Sequence, residues 1–211
     1  MKRKDEILEV SLQMFNEEGE ANLSAVDIAN EMDISPGNLY YHYKGKAEIV
    51  EALFERFESS IKTLLQEAVD QEGALEDLIA IYFVLIEQIY CYRFFYRNLS
   101  DLIEKYPDIN RRFRRLMKLK HTLNITTIQK LLSQEQCDPE LVLLGGIENI
   151  ADNLTLILTY LNEFYSVKGE ELDKDTFVQE ALNKIIAAIG PYSGKLMALH
   201  VNYIQTLFSE H

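Results

Sequence analysis

"SPGNLYYHYKGK", residues 35–46, stands out against the chain that carries it. The 211 residues include 34 acidic and 21 basic side chains, a formal net charge of −13. Yet from Ile34 to Ala47 there is no Asp or Glu; three tyrosines, a histidine and two lysines stand there instead. The local chemistry reads as a helix, a tight turn and a second helix. Ser24 can cap the first helix, with Asp27 three positions on as the reciprocal acid of a capping box. Ile28, Ala29 and Met32 make its inner face. Asp33 to Ser35 is the turn, and Pro36 suits the first turn of the next helix, where a missing N–H costs nothing. Lys44-Gly45 ends that helix near Tyr43.

On a helical wheel starting at Pro36, Leu39 and Tyr43 fall at about 300° and 340°, beside Pro36. Gly37, Asn38, Tyr41 and His42 fall on the opposite side, and Tyr40 lies at the edge. One face is therefore apolar and anchored, and the other suits a DNA groove. Gly37 lets the backbone come close, and Asn38 can pair with a base edge, most naturally adenine. Tyr40, Tyr41, His42 and Lys46 can reach phosphates. The N-terminus of the Ser24 helix offers backbone N–H donors for a further phosphate. A carboxylate on this surface would be repelled by phosphate charge. Residues 1–55 hold twelve acids against five Lys/Arg, so the clearing is local. Lys2, Arg3 and Lys4 could form an arm toward the DNA backbone. The plainer alternative is a surface helical hairpin whose tyrosines pack on a neighbour.

Around this segment the periodicity is helical almost throughout, with no convincing period-2 strand, so the expected class is all-α. Ile7, Val10, Leu12, Met14 and Phe15 mark a first helix ending near Gly19. A long helix runs from about residue 46 to 70. Gln71-Glu72-Gly73 is the first clear break after it. Further helices are expected at about 74–92, 94–106, 108–133, 139–165 and 175–189, with a tail helix over 194–208. The longest uncharged run, Leu196 to Ser209, is shorter than the ~18 apolar residues that a membrane span needs. Cys91 and Cys137 give no disulfide framework, and two reduced thiols in a cytoplasmic protein are expected. His42, His121, His200 and His211 form no metal-ligand spacing. No phosphate loop or nucleophile motif is present, so no cofactor and no enzymatic activity are expected.

"LSAVDIANEMDISPGNLYYHYKGKAEIVEAL" closely resembles the DNA-binding module of tetracycline-repressor (TetR) family regulators, with "GNLYYHYKGK" its most specific part. The resemblance covers about residues 4–56 strongly and the helical remainder in architecture. It implies a helix-turn-helix domain of three helices over residues 1–50 and a larger effector-binding and dimerisation bundle over 51–211. About nine to ten helices are expected in all. It also implies a homodimer on palindromic operator DNA, released by a small effector. Carried over residue by residue, Ser24, Ser35, Gly37, Asn38, Tyr40, Tyr41, His42 and Lys46 are the DNA contacts, while Leu39 and Tyr43 match packing positions. Asp33 departs from the Gly this turn often has; Asp tolerates the left-handed conformation better than most residues. The rival reading is a helical ligand-binding or scaffold protein that no longer binds DNA.

Seven aromatics between Tyr82 and Tyr96 mark a candidate pocket for an apolar or aromatic effector, or simply a core. Tyr82, Phe83, Glu87, Tyr90, Phe94, His121, Asn124, Asn149 and Asn153 are the candidate contacts. "INRRFRRLMKLKH", residues 109–121, holds six Lys/Arg and reads as a solvated face, a second nucleic-acid patch or an anion attractor. By resemblance, the helices carrying Leu154, Leu158 and Leu161 and Ile185, Ile186 and Ile189 form a four-helix interface with a second copy. A monomeric core would give the same stripes. Gly145-Gly146 permits either close helix approach or a kink.

Overall fold

The computed structural model describes residues 3–70, 75–133 and 137–192. The tail helix expected over 194–208 and Lys2 of the basic arm lie outside the described residues. Among the described residues there are ten α-helices and no strand, as the periodicity predicts. The first four helices are α1 (Arg3–Glu18), α2 (Ala25–Glu31), α3 (Pro36–His42) and α4 (Lys46–Asp70). They are followed by α5 (Leu75–Cys91), α6 (Leu99–Lys105) and α7 (Pro107–Ser133). The last three are α8 (Pro139–Gly145), α9 (Ile147–Val167) and α10 (Lys174–Ile189).

Two helices expected to be continuous are broken. The stretch expected as 94–106 splits into a 3-10 turn, Arg93–Phe95, and α6, with Asn98 between them in the left-handed region at φ 54°. The stretch expected as 139–165 splits at Gly146, φ +76°, into α8 and α9. Its neighbour Gly145 lies against the Tyr192 ring, where an added Cβ would fall 2.6 Å from the phenol oxygen. The glycine pair thus serves both uses the sequence left open, a kink and a close approach.

The body is built around α7, which packs on α4 and α9, while α10 packs on α5 and α9. The head is α1 to α3 on the start of α4. Ile7, Phe15, Ile28, Leu39 and Leu53 are fully buried there. The i, i+4 apolar spacing of α4 continues this core into the body through Phe57 and Ile61. Arg56 on α4 ties the head together by pairing with Asp5 at 2.6 Å and Glu9 at 2.9 Å on α1.

Three sets of contacts fasten the head and α4 to the body most closely among the described residues. Asn16 Nδ2 donates to the Cys91 carbonyl at 2.8 Å, and the Phe94 N–H donates to Asn16 Oδ1 at 3.0 Å. Arg112 on α7 reaches Glu58 on α4 at 2.6 Å. The third is a buried carboxylate, Glu20. It accepts from the Tyr106 hydroxyl at 2.6 Å and from Lys105 at 2.9 Å, and pairs with Lys46 at 3.0 Å. Burial pushes this carboxyl up, but hydrogen bonds from Tyr106, Lys105 and Lys46 together hold it below its ordinary value of 4.5. A carboxyl with a lowered folded pKa stabilises above its ordinary value, and that stability is lost as pH falls through the folded value. Glu20→Gln is therefore expected to cost about 2–3 kcal/mol at neutral pH. The gap should close in acid. Urea melts at neutral and acidic pH check this, and a gap that does not change with pH contradicts it.

Candidate nucleic-acid interface

The helix-turn-helix is fixed by short-range bonds. At the start of α2, Asp27 N–H donates to Ser24 Oγ at 3.3 Å, while the Ser24 N–H and hydroxyl donate back to the Asp27 carboxylate at 2.7 and 2.6 Å. This is the capping box read from the sequence, and Ser24 hydrogen bonding holds the Asp27 carboxyl below its ordinary value. The Asp27 carboxylate thus stands beside the helix end where a phosphate is expected, and it takes the Ser24 hydroxyl proton. The turn closes with Asp33 N–H on the Asn30 carbonyl and Ile34 N–H on the Ala29 carbonyl, both at 3.0 Å. These two bonds define a Schellman motif. Asp33 holds its left-handed position at φ 52°, where a glycine is usual.

Ser35 caps α3 by accepting from the Asn38 N–H at 3.2 Å. Leu39 and Tyr43 turn inward and are buried. The Tyr43 hydroxyl donates to the Lys4 carbonyl at 3.3 Å, with the Lys4 ammonium 4.9 Å from the ring centroid. Gly37, Asn38 and Tyr40 are exposed on the other side, and Tyr41 is 85% exposed. His42 is half-buried and meets the Tyr41 ring edge-on at 5.1 Å. The structure therefore brings Gly37, Asn38, Tyr40, Tyr41 and His42 onto one outward surface, with Ser35 at its rim.

Lys46 does not join them. Its ammonium turns inward and donates to the Glu20 and Leu23 carbonyls at 2.7 and 2.5 Å, besides pairing with the Glu20 carboxylate. All three donors of the ammonium are thereby engaged. The free cation of this surface is Lys44, exposed and with no side-chain partner among the described residues. Its backbone N–H is held at 2.6 Å by Glu48. The sequence counted both lysines in the acid-free window and could not tell which one the start of α4 would draw inward.

The candidate effector contacts do not converge. Tyr82 and Asn124 meet inside the body, the phenol donating to Asn124 Oδ1 at 2.7 Å, and Asn124 Nδ2 donates to Thr155 Oγ1 at 2.9 Å. Burial pushes the Tyr82 phenol well up. Phe94 is buried against Phe15 of the head, centroids 5.3 Å apart. Tyr90 is half-buried and lines a surface cleft of about 390 Å³ together with Arg93, Tyr165 and Phe177. Phe83, Asn149 and Asn153 are exposed. Glu87 pairs with Lys174 at 2.5 Å, and His121 pairs with Asp152 at 3.1 Å. Asn149 donates to the Gly145 carbonyl at 3.2 Å, a local cap. Among these candidates, only Tyr82 and Asn124 are joined in the interior.

The stripe assigned to a dimer is also turned inward. Leu154, Leu158, Leu161, Ile185 and Ile189 are buried in the protomer's own core, and Ile186 is half-buried. They pack α9 and α10 against α7 and α5. The opposite side of α9 carries the exposed apolar side chains: Leu156, Tyr160, Phe164 and Val167, with Leu143 and Leu144 on α8. The basic run of α7 divides as well. Arg112 and Lys120 turn inward, Arg111 pairs with Asp108, Arg114 bonds Asn110, and Arg115 and Lys118 are exposed. Among the described residues, no group of three or more side chains could hold a metal ion, and no helix is long and apolar enough to cross a membrane.

Residues 7–53 match the family model of bacterial regulatory proteins of the tetR family, and residues 56–195 match the TetR model described as bacterial transcriptional repressor. The probable HTH-type transcriptional regulator YttP of Bacillus subtilis (strain 168) is 26% identical over 104 residues, 46% of this chain and 50% of that protein. The HTH-type transcriptional repressor KstR2 of Mycolicibacterium smegmatis is 30% identical over 108 residues, 47% and 53% of the two chains. The chain thus spans about half the length of these curated relatives. A TetR-family transcriptional regulator from Marinobacter aquaeolei VT8 superposes with a TM-score of 0.84 at 26% identity, covering 96% of this chain and 99% of that one. The ketosteroid regulator KstR2 of Mycobacterium tuberculosis shares the fold, with a TM-score of 0.64 at 21% identity over 91% of this chain and 95% of that one.

Proposed function

The chain belongs to the TetR family of bacterial transcriptional regulators, and on that premise we propose that it is an effector-responsive repressor that grips palindromic operator DNA as a homodimer in the cytoplasm. The observation that carries this reading is the outward face of α3. It is free of carboxylates, anchored from behind by Leu39 and Tyr43, and presents Gly37, Asn38 and Tyr41 to solvent. Asn38 reads a base edge. Tyr40, Tyr41, His42 and Ser35 contact the backbone, and Lys44 supplies the charge that Lys46 does not. Ser24 serves by holding α2 in place.

The second copy docks on the outer face of α9. Leu156, Tyr160 and Phe164 repeat at i, i+4 and i+8, and a contiguous exposed apolar strip of this kind marks a protein interface. A two-fold dimer places two recognition helices on half-sites about 34–36 Å apart. A small apolar or aromatic effector in the body then favours a dimer whose heads are wrongly spaced. This works only if the effector binds the two states with different affinity. Footprinting on the duplex upstream of the protein's own gene should show two protected half-sites one turn apart. A single protected patch, or none, would overturn the dimeric reading.

The two lysines separate cleanly by salt dependence. Lys44→Ala should weaken binding on every sequence and reduce the salt slope by about one. Lys46→Met should lower the melting temperature and leave the slope unchanged. If the slope falls in the Lys46 variant instead, Lys46 is a phosphate contact.

A further inference from the structure

Among the described residues, Lys120 is the one lysine whose side chain is wholly withdrawn from water. Its ammonium donates to the Tyr96 hydroxyl at 2.8 Å and lies 4.7 and 5.8 Å from the Tyr96 and Phe113 ring centroids. No carboxylate pairs with it among the described residues. An ammonium has three donors, and among the described residues the Tyr96 hydroxyl is the one acceptor it reaches. Buried donors and charges left in that state are costly. Burial alone pulls this amine's pKa down to about 7. The contrast lies one turn along the same face of α7. There Tyr82, Asn124 and Thr155 form a closed set of neutral bonds that asks for nothing further.

The partner of Lys120 sits on an irregular piece of chain. Tyr96 follows the 3-10 turn Arg93–Phe95 and precedes Asn98 in its left-handed position. That piece is bolted to the head. Asn16 bonds the Cys91 carbonyl and the Phe94 N–H, the Phe15 ring meets Phe94, and Arg97 donates to the Glu17 carbonyl at 3.3 Å.

We propose that Lys120 reads the effector and that the effector is an apolar organic monoanion, a carboxylate on a hydrocarbon or aromatic body, which replaces the Tyr96 hydroxyl as acceptor and so shifts the 92–98 segment against α1. This rests on the regulator reading for its consequence, and on Lys120 for its chemistry. One buried cation neutralises one carboxylate. A phosphate ester would bring roughly −1.5 to −2 charges and leave the site anionic. One carboxylate oxygen takes the donor that Tyr96 gives up, and the other takes a donor that has no acceptor now. Release of Tyr96 then moves the turn that holds Asn16, and α1 carries the change to α2 and α3.

The test uses the full chain, with octanoate against octan-1-ol and 4-phenylbutyrate against its alcohol, in isothermal titration calorimetry. At least one acid should bind the wild type about tenfold or more tighter than its neutral match, the ratio expected of a charge-assisted hydrogen bond. Lys120→Met should remove the preference while keeping alcohol and duplex binding. Asn16→Ala should keep acid affinity and blunt the acid-induced loss of duplex binding. The proposal is overturned if neither acid binds the wild type, if acid and alcohol bind equally, or if the preference survives in Lys120→Met. Duplex binding without acid is scored in parallel. Its absence in the wild type counts against the regulator reading, while the acid preference still decides the role of Lys120.

Discussion

Asn38→Ala combined with Tyr41→Ala is expected to abolish sequence-selective duplex binding while leaving the fold intact. Asn38 is the amide on the outward face of α3, placed by the Ser35 cap that receives its N–H. Loss of one bidentate base contact costs about 1–3 kcal/mol, up to roughly a hundredfold. Tyr41 spends only its ring edge on His42 and is otherwise in water. On the proposed reading its removal takes a phosphate contact and a large contact area from the interface, yet surface changes of this kind alter stability by about 0.5 kcal/mol or less. Circular dichroism melts should therefore superimpose on the wild type while anisotropy titrations lose the specific phase. Asn38→Ala alone should also relax base preference at one position of each half-site. Retained selectivity in the double variant would remove α3 from the interface.

The second large effect concerns the pair. Leu156→Glu with Tyr160→Glu should yield a folded monomer by sedimentation velocity. Both side chains are about half exposed, so the charges enter water in the protomer and are buried unpaired in the dimer. A monomer loses the linked second half-site, and operator affinity should fall by about 10²–10⁴ for that reason alone. A double variant that still sediments as a dimer would put the interface elsewhere. The same change at Leu158 would be uninformative, because that residue is in the protomer core.

How far the sequence could be read follows the range of the forces involved. The head was legible because its signals are local: a Ser24 to Asp27 box, a turn at Asp33, Pro36 at a helix start, and a run without carboxylates. The side chain of Lys46 escaped because its acceptors, Glu20 and Leu23, are more than twenty residues away and only the folded head brings them within reach. The sequence does not choose the dimer stripe because α9 is apolar on two faces. Leu154, Leu158 and Leu161 satisfy helix spacing as well as Leu156, Tyr160 and Phe164 do, and spacing carries no information about which face meets α7. Lys120 was hidden among the cations of residues 109–121, where the run reads as a solvated surface. A heptad count from Phe113 to Lys120 would have placed it on the buried face. His121, singled out beside it, lies on the surface with Asp152.

The most direct test of the account is a fluorescence anisotropy titration of the full chain against the duplex upstream of its own gene and a scrambled duplex of equal length, repeated across salt concentrations. The account predicts a preference of about 10³ or more for the upstream duplex. It also predicts a salt slope that Lys44→Ala lowers by about one and a specific phase that the Asn38 and Tyr41 double variant lacks. Equal affinity for the two duplexes, or a specific phase untouched by changes on α3, would contradict it.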